Sequence, residues 1–277
     1  MQRRVVHADN LEVLRTVPSE SIDLVYVDPP FNTGKLQSRD VLRTVRSETG
    51  DRTGFGGRRY ATTRVGGASF ADAFDDYLGF LEPRLVEAHR VLKPTGAFYL
   101  HLDYREVHYC KIVLDSIFGR DNFQNEIIWA YDSGARATRR WPAKHDNILY
   151  YAKDAGRVFF DGAAVERIPY MAPDLVGAEK AARGKLPTDT WWHTIVSPTG
   201  KEKLGYPTQK PLGIVRRIVQ ASCPPGGLAL DFFAGSGTLG AAAIEHGCAF
   251  LLVDSSEEAI KVMRRRFAGD DVAFEPQ

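Results

Sequence analysis

Apolar positions along the chain fall into two repeating patterns. Short continuous runs, such as residues 22–27, predict buried β-strands, whereas apolar residues three or four positions apart, as at Leu78, Leu81 and Leu85, predict amphipathic helices. Strands that alternate with helices are typical of an open, mostly parallel α/β sheet flanked by helices. The predicted strands are 3–10, 22–28, 97–103, 125–131, 147–153, 228–235 and 249–256, with the fourth and fifth antiparallel, and the predicted helices are 11–21, 70–93, 105–119, 211–226, 238–247 and 257–269.

Two segments do not follow this alternation. Residues 35–64 carry eight basic residues against three acidic ones, with four glycines, and predict a basic loop over residues 35–70. Such a loop is either a solvated charged surface or a contact for nucleic-acid phosphates. Residues 152–205 are rich in Gly and Pro and predict an inserted region. Its Trp191 and Trp192 are candidates for contact with DNA bases or, equally, for a core or dimer contact.

Composition narrows the class of protein. The chain has 277 residues, long enough for one large domain or two small ones, and its content of 44% hydrophobic and 26% charged residues is ordinary for a globular protein. It contains no run of 18 apolar residues that would predict a membrane span, and its basic N-terminus lacks the apolar stretch of a signal peptide. Three cysteines without CxxC spacing argue against a disulfide framework or a zinc site and favour the cytoplasm.

A glycine-rich turn overlaps the end of the predicted strand at 228–235, just after Asp231. The sequence FAGSGT places Gly235 and Gly237 at the start of a predicted helix, where backbone N–H groups are exposed and a ligand can approach closely. The next predicted strand ends in Asp254, and an acid at this place commonly binds ribose hydroxyls. The pattern indicates a nucleoside-bearing cofactor, although a turn without a ligand and an Asp that caps the following helix are also consistent with it.

The stretch DPPF, residues 28–31, offers a second kind of chemistry at the end of a buried strand. The lone pair of an exocyclic amine on an aromatic base is delocalised, so acceptors for both N–H groups would make it a better nucleophile. Asp28 and the carbonyl of Pro29 can accept the two N–H groups, and Pro30 stiffens the turn that carries them. Phe31 can stack on the base, which must first leave the double helix. An Asp-capped turn with a core Phe is the alternative interpretation of this stretch alone.

Taken together, these motifs resemble the amino-directed DNA methyltransferases that use S-adenosylmethionine. The resemblance rests on DPPF and FAGSGT, on HADNLEVL near the start, on RVLKPTGAFYLHLDY, FQNEIIWAY and KHDNILYYAK, and on YPTQKP before the cofactor turn. The catalytic motif precedes the cofactor motif, with a recognition region between them, which is similar to the beta group of these enzymes. The chain departs from the family pattern at Ala8, where Gly is usual, and at Phe232, where Pro is frequent.

The resemblance implies a Rossmann-like methyltransferase fold, S-adenosylmethionine as the cofactor and double-stranded DNA as the partner. It implies that residues 152–205 form a target-recognition insertion and that the basic loop contacts DNA. The implied catalytic residues are Asp28, Pro29, Pro30 and Phe31; the cofactor residues are Asp9, Asn10, Tyr206, Thr208, Lys210, Asp231, Phe233, Ala234, Gly235, Ser236, Gly237, Thr238 and Asp254; the DNA-contacting residues are Lys35, Arg39, Arg43, Arg46, Arg58 and Arg59. No metal is implied.

The target base stays open between two amines. In the resembled family, Asp at the first catalytic position is usual for adenine N6, and Ser or Thr is usual for cytosine N4, so Asp28 favours adenine. Because both amines offer two N–H groups to the same acceptors, chemistry alone does not exclude cytosine.

Other functions explain fewer of these residues. A dinucleotide-binding oxidoreductase would account for Gly235, Gly237 and Asp254 but not for DPPF, and methylation of RNA or of a protein glutamine fits less well with Asp28. A DNA-binding module without activity is disfavoured because all the motif residues are present. His145 is a further candidate, although such a residue more often makes a local hydrogen bond. A homodimer and a cognate restriction endonuclease are candidate partners, and the chain itself carries no apparent nuclease motif.

Overall fold

A computed structural model of the protein describes residues 2–32, 35–46, 52–53, 59–72, 74–133, 137–197 and 199–276, with the backbone alone between residues 35 and 72. The strands are β1 (Arg4–His7), β2 (Ile22–Val27), β3 (Lys35–Arg46), β4 (Arg52–Thr53), β5 (Arg59–Asp72), β6 (Leu92–Leu102), β7 (Phe123–Ala130), β8 (His145–Ala152), β9 (Thr190–Trp192), β10 (Leu228–Asp231), β11 (Ala249–Asp254) and β12 (Ala273–Glu275). The helices are α1 (Asn10–Thr16), α2 (Tyr77–Val91), α3 (Val107–Phe118), α4 (Ala178–Arg183), α5 (Leu212–Ser222), α6 (Thr238–Glu245) and α7 (Glu257–Arg266).

Nine of these strands form one sheet in the order β12-β1-β11-β10-β2-β6-β8-β7-β9. Every neighbouring pair is parallel except β6 with β8 and β8 with β7, so β8 is the one antiparallel strand of this sheet. This arrangement confirms the predicted mostly parallel α/β sheet, including the antiparallel pair of β7 and β8.

Helices cover both faces of the sheet. Along β2, Leu24 and Tyr26 contribute to the core beneath α5, α6 and α7, whereas Ile22, Val25 and Val27 contribute to the core beneath α1, α2 and α3. Because successive side chains of a strand point to opposite faces, a strand with apolar residues on both faces must be covered on both sides. The apolar run at 22–27 therefore requires the two helical layers.

The layers also determine where a ligand can bind. Strand β2 lies beside β10, and the helices that follow β2 and β10 along the chain cover opposite faces. Such a switch point opens a crevice at the carboxyl ends of the strands. Acidic residues stand at this edge on four neighbouring strands: Asp9 just after β1, Asp254 at the end of β11, Asp231 at the end of β10 and Asp28 just after β2.

Three details differ from the sequence-based expectations. Strand β12 was not predicted, because three residues give too short a pattern; it pairs in parallel with β1. Strand β6 begins directly after α2 at Leu92, five residues before the predicted start, and its pairing with β2 is irregular between Ile22 and Leu24. Helix α1 ends at Thr16, shortly before Pro18.

The predicted basic loop is wrong as secondary structure. Strands β3, β5 and β4 form a separate antiparallel sheet, with Lys35 opposite Asp72 and Arg46 opposite Tyr60. Both long strands contain β-branched residues, which are Val41, Thr44 and Val45 in β3 and Thr62, Thr63 and Val65 in β5. Such residues favour strands over the loop that the glycines and arginines suggested. The side chains of Lys35, Arg39, Arg43, Arg46 and Arg59, and all of Arg58, lie outside the described residues, so their contact with DNA stays a prediction.

The predicted insertion at 152–205 contains two short helical pieces and one strand. Pro173–Leu175 forms a 3-10 helix, α4 follows, and β9 extends the main sheet by pairing in parallel with β7. Trp191 is buried in the core of the sheet while Trp192 is 76% exposed. Among the described helices, none is both long and apolar enough to cross a membrane.

Candidate active site

A cavity of about 290 Å³ lies at the carboxyl edge, where β2 meets β10. Every predicted catalytic residue lines it. Every predicted cofactor residue also lines it, apart from Gly237. A Cβ at Gly237 would lie 2.9 Å from Cγ of Met263 and 3.1 Å from Cζ of Phe267, so this glycine permits close packing of α6 on α7. Gly237 also has φ of +74°, which a glycine adopts without strain.

The glycine-rich turn is hydrogen-bonded to Asp254. One carboxylate oxygen of Asp254 accepts a hydrogen bond from the backbone N–H of Gly235 at 2.7 Å, and the other accepts from the N–H of Ser256 at 2.8 Å. The cap of α7 is Ser256, whose hydroxyl accepts from Ala259, so Asp254 is not the helix cap. Each of its oxygens keeps a lone pair for a ligand.

Burial raises the pKa of two carboxyl groups beside the cavity. The pKa of Asp231 is raised well above its ordinary value, mainly because the side chain is removed from water and also because Asp28 and Asp254 are negatively charged. Burial likewise raises the pKa of Asp254. A site with several carboxylates in a poorly hydrated setting favours a positively charged ligand.

Asp28 presents one paired and one unpaired oxygen. Nζ of Lys210 donates to Oδ2 of Asp28 at 2.5 Å, and both side chains are largely buried, with exposures of 9% and 16%. Oδ1 of Asp28 is buried and has no hydrogen-bond partner among the residues that the structure describes. A buried acceptor of this kind calls for a donor, and an N–H of a bound amine would supply one.

Phe31 forms the wall beside this carboxylate. Its ring lies 4.7 Å from Nζ of Lys210 and 6.0 Å from the ring of His101. The next residue, Asn32, has φ of +52° and holds the turn from two sides. Its amide donates to Glu106 at 2.9 Å and accepts from the N–H of Phe74 at 3.0 Å. These contacts fix the position of Phe31 at the mouth of the cavity.

Asn10 lines the cavity, but its amide is already used by the protein. Its Nδ2 donates to the carbonyl of Phe232 at 2.7 Å, and its Oδ1 accepts from Nε of Arg84 at 2.6 Å. Arg84 also contacts Asp9 at 3.3 Å and lies 4.0 Å above the ring of Phe80. Asn10 therefore ties the cofactor turn to α2. Asp9 caps α1 by accepting from the N–H groups of Leu11 and Glu12, and 48% of its side chain is exposed.

Arg84 and Phe80 are cavity residues that the sequence analysis missed. The signal was present: Arg84 stands between Leu81, Leu85 and Ala88 on the buried side of α2, where an arginine requires a partner. The loop before α5 brings Tyr206, Thr208 and Lys210 to the cavity, where Nζ of Lys210 is paired with Asp28. The ring of Tyr206 packs on Gly235, at which φ is +50° and a Cβ would lie 3.0 Å from Cε1 of the tyrosine.

The donor set can be tested against a metal ion and against the cofactor that the sequence implies. Within the described ranges, no group of three or more His, Cys, Asp or Glu side chains is arranged to hold a metal ion. A cation with a nucleoside part fits better, because carboxylates converge on a cavity bordered by aromatic rings. The cavity residues that could hold such a cofactor come from β1, β10 and β11 and from the loop before α5.

Comparison with known proteins gives a consistent result. Residues 22–265 match a family model described as DNA methylase. The chain is 30% identical to the DNA adenine methyltransferase YhdJ of Escherichia coli (strain K12), over 95% of this chain and 82% of that protein. It is 28% identical to the type II methyltransferase M.HpaI of Haemophilus parainfluenzae, over 99% of this chain and 77% of that one.

Solved structures share the fold. TTHA0409 of Thermus thermophilus, solved in complex with S-adenosyl-L-methionine, superposes with a TM-score of 0.61 at 19% identity, over 100% of this chain and 98% of that chain. The cytosine-N4-specific PvuII DNA methyltransferase gives a TM-score of 0.61 at 15% identity, over 99% and 95%. The fold is therefore the Rossmann-like fold of these methyltransferases. The family match over residues 22–265 and the 30% identity to YhdJ show that the chain belongs to the DNA methylase family.

Proposed function

We propose that the protein transfers a methyl group from S-adenosylmethionine to the N6 amine of adenine in double-stranded DNA. The observation that carries this proposal is the unpaired, buried Oδ1 of Asp28 beside Pro29 and Phe31. The presence of Asp at this position and the similarity to an adenine methyltransferase of Escherichia coli support adenine over cytosine.

The residues of this chain act mainly by position. Oδ1 of Asp28 accepts one N–H of the amine and the carbonyl of Pro29 accepts the other, which directs the nitrogen lone pair away from the ring. Phe31 stacks on the base after it has left the double helix. Lys210 holds the carboxylate of Asp28 in place through Oδ2.

The cofactor residues have separate roles in this proposal. Asp254 would hold the ribose, Asp9 and Asn10 would lie near the adenine ring, and the turn from Phe233 to Thr238 would line the methionine part. When bound, the cofactor supplies an electrophilic methyl group on a positively charged sulfur. The carboxylates of Asp28, Asp231 and Asp254 provide a negative environment for that charge.

The contacts with DNA are proposed at two places. The sheet of β3, β4 and β5 follows the catalytic turn directly, and it carries Lys35, Arg39, Arg43 and Arg46 on β3. Residues 152–205 are the proposed target-recognition region. A cytoplasmic location, a homodimer and a cognate restriction endonuclease remain predictions from the sequence.

A product assay tests the function. Purified protein is incubated with unmethylated DNA of many sequences and S-adenosylmethionine, and the digested nucleosides are identified by mass spectrometry. N6-methyladenine is the expected product, whereas N4-methylcytosine would contradict the choice of base. The Asp28→Ala variant serves as the control: it should lose transfer but keep its dissociation constant for S-adenosylhomocysteine. Full activity of this variant would refute the role given to Asp28.

A further inference from the structure

The loop between β7 and β8 lies at the same edge of the sheet as the cavity. Strand β7 runs parallel to β2 and β6, because β8, which lies between β6 and β7, is antiparallel to both of its neighbours. The end of β7 and the start of β8 therefore stand at the edge that carries Asp28. Three strand spacings separate β7 from β2, roughly 14 Å across the sheet, which is less than half of one turn of duplex DNA. One DNA duplex can thus contact both places.

Hydrogen bonds close the β7–β8 loop, residues 131–144, at its base. The N–H of Tyr131 donates to the carbonyl of Lys144 at 2.9 Å, and Nζ of Lys144 donates to the carbonyl of Ser133 at 2.5 Å. The hydroxyl of Tyr131 donates to one carboxylate oxygen of Asp146 at 2.9 Å, and the other oxygen lies 3.2 Å from Nε2 of the fully buried His101. The base of the loop is therefore bonded to the core of the sheet.

The side chains farther along this loop are exposed to solvent. Residues 137–141 are all exposed, and Trp141 is 94% exposed. Trp192, at the end of β9, is 76% exposed and stands opposite Ala130 in the pairing of β9 with β7. The two exposed tryptophans of the chain therefore stand at one edge of the sheet, whereas the other two are buried. Large aromatic side chains left in water at one place are typical of a surface that binds a partner.

The charge of the β7–β8 loop indicates which partner it fits. Arg139 and Arg140 are exposed, and neither forms an ion pair with a residue that the structure describes. The described part of the loop also carries Lys144, against Asp132 as its single acid. Arginines beside exposed aromatic rings are suited to bind the phosphates and the bases of nucleic acids. Because the chain belongs to the DNA methylase family, DNA is the partner that this surface fits.

We infer that the β7–β8 loop is a further DNA-binding element, in which Arg139 and Arg140 bind phosphates and Trp141 stacks on the bases beside the flipped base. It lies outside the sheet of β3, β4 and β5 and outside residues 152–205. The role of Trp141 rests on the proposed function, which requires the target base to leave the helix. The neighbours of that base then lose a stacking partner, which costs free energy. An aromatic side chain that enters the vacated place restores part of this stacking.

The salt dependence of DNA binding tests the two arginines. Arg139→Gln and Arg140→Gln should each reduce the slope of log Kd against log salt concentration by about 1, the contribution of one phosphate contact. Fluorescence anisotropy with a labelled duplex of mixed sequence and S-adenosylhomocysteine measures this slope. The matched control is Arg120→Gln, since Arg120 is an exposed arginine just before β7, at the opposite edge of the sheet. Its slope should equal that of the wild type. Wild-type slopes in both loop variants would overturn the phosphate contacts.

Three substitutions of Trp141 separate stacking from apolar contact. Phe keeps a flat ring, Leu keeps apolar volume without a ring, and Ala keeps neither. The substrate is a duplex with the methylated sequence, which sequencing of the product DNA identifies. Single-turnover methyl transfer should be about tenfold slower in Trp141→Ala and Trp141→Leu, as for the loss of one base–aromatic stack, and within about threefold of the wild type in Trp141→Phe. Equal rates in Trp141→Leu and Trp141→Phe would contradict stacking.

A second duplex separates a role in the base stack from a structural role. A target base placed opposite an abasic site has no base pair to lose, so it leaves the helix more easily. On this duplex Trp141→Ala should recover to within about threefold of the wild-type rate, because less free energy is needed for flipping. An equal loss of rate on both duplexes would overturn the role of Trp141. Because Trp141 lies outside the cavity, every variant should bind S-adenosylhomocysteine as the wild type does in calorimetry.

A second copy of the chain is the other partner that an exposed tryptophan could contact. Analytical ultracentrifugation of the wild type and Trp141→Ala should give the same oligomeric state, and loss of a wild-type oligomer in the variant would overturn the assignment to DNA. Failure of the proposed function has a different signature, because the wild type itself would then methylate no base in DNA. The salt slopes require no methyl transfer, so they would still decide whether this loop binds DNA.

Discussion

Replacement of Lys210 by Met should destabilise the protein strongly, because it leaves the carboxylate of Asp28 without its only described cation partner. The two side chains are 9% and 16% exposed, and Oδ1 of Asp28 has no partner among the described residues. Removal of one member of a buried ion pair costs about 3–5 kcal/mol. Because the cavity admits water, we expect the lower end, about 3 kcal/mol in the free energy of unfolding.

Urea unfolding of four proteins measures this contribution: the wild type, Lys210→Met, Asp28→Asn and the double variant. Each single variant leaves one buried group unpaired, whereas the double variant leaves none charged, so the two effects should not add. We expect a coupling energy of about 2 kcal/mol between the two positions, within the range found for residues in contact.

The ion pair of Arg216 and Glu245 is a matched control. It joins a residue of α5 to a carboxylate of α6, with an N–O distance of 2.6 Å, but its side chains are 37% and 42% exposed. An exposed pair contributes about 0–1 kcal/mol, so Arg216→Met should have a small effect. A Lys210→Met cost no larger than that of Arg216→Met, or effects of Lys210 and Asp28 that add within about 0.5 kcal/mol, would refute the reasoning.

Three further predictions concern the cavity. Phe31→Ala should weaken the binding of DNA that has a mismatched target base by about 1–3 kcal/mol, the usual contribution of base stacking, and unchanged affinity in a fluorescence titration would contradict it. Gly235→Ala should weaken the binding of S-adenosylhomocysteine in calorimetry by about 1–2 kcal/mol, because φ is +50° and the new methyl group would press on Tyr206; wild-type affinity would contradict it. The pKa of Asp231 is raised in the folded state, so the folded protein binds this proton more tightly than the unfolded protein does. Asp231 therefore lowers the free energy of unfolding as pH rises from the ordinary carboxyl range through the folded pKa. Asp231→Asn should therefore make the ligand-free protein more stable at neutral pH and flatten this decline in urea unfolding; a steeper decline would contradict it.

The main elements could be predicted because their signals are local. The strand at 22–27 is apolar at every position but one, and α5 ends at a Pro-Pro-Gly sequence, so both are evident from the chain itself. The catalytic and cofactor turns could be found for the same reason, since Asp28 and Gly235 stand in short motifs. The motifs do not predict which other residues will surround them in the folded protein. Gly237 belongs to the glycine-rich motif, yet it faces α7, and no spacing rule reveals which glycine contacts a ligand and which one contacts a helix.

Other parts of the site depend on contacts between distant positions. Arg84 is 74 residues from Asn10, and His101 lies 45 residues from Asp146, so neither contact leaves a pattern in the local sequence. Both contacts nevertheless involve polar residues beside apolar ones, as His101 in YLHLD and Asp146 in HDNILYY. His145 is the candidate that the pattern of the second stretch suggests, whereas its neighbour Asp146 is the buried residue that hydrogen-bonds to His101. A polar residue within an apolar strand is thus the signal to follow, and the direction of its side chain decides which neighbour is used.

The charges around the cavity also bear on turnover. Asp9, Asp28, Asp231 and Asp254 are opposed by Lys210 and Arg84, and both of these cations are paired with acids, with Asp28 and with Asp9. The remaining negative charge favours a cationic ligand over a neutral one of the same shape. Methyl transfer removes the charge from the sulfur, so the cavity should bind S-adenosylhomocysteine less tightly than a stable sulfonium analogue such as sinefungin, whose amine is protonated. The raised pKa of Asp231 means that its negative charge is unfavourable when no cation is bound. Asp231→Asn should therefore reduce the difference between the affinity for sinefungin and the affinity for S-adenosylhomocysteine. Calorimetric titration of both ligands measures this difference.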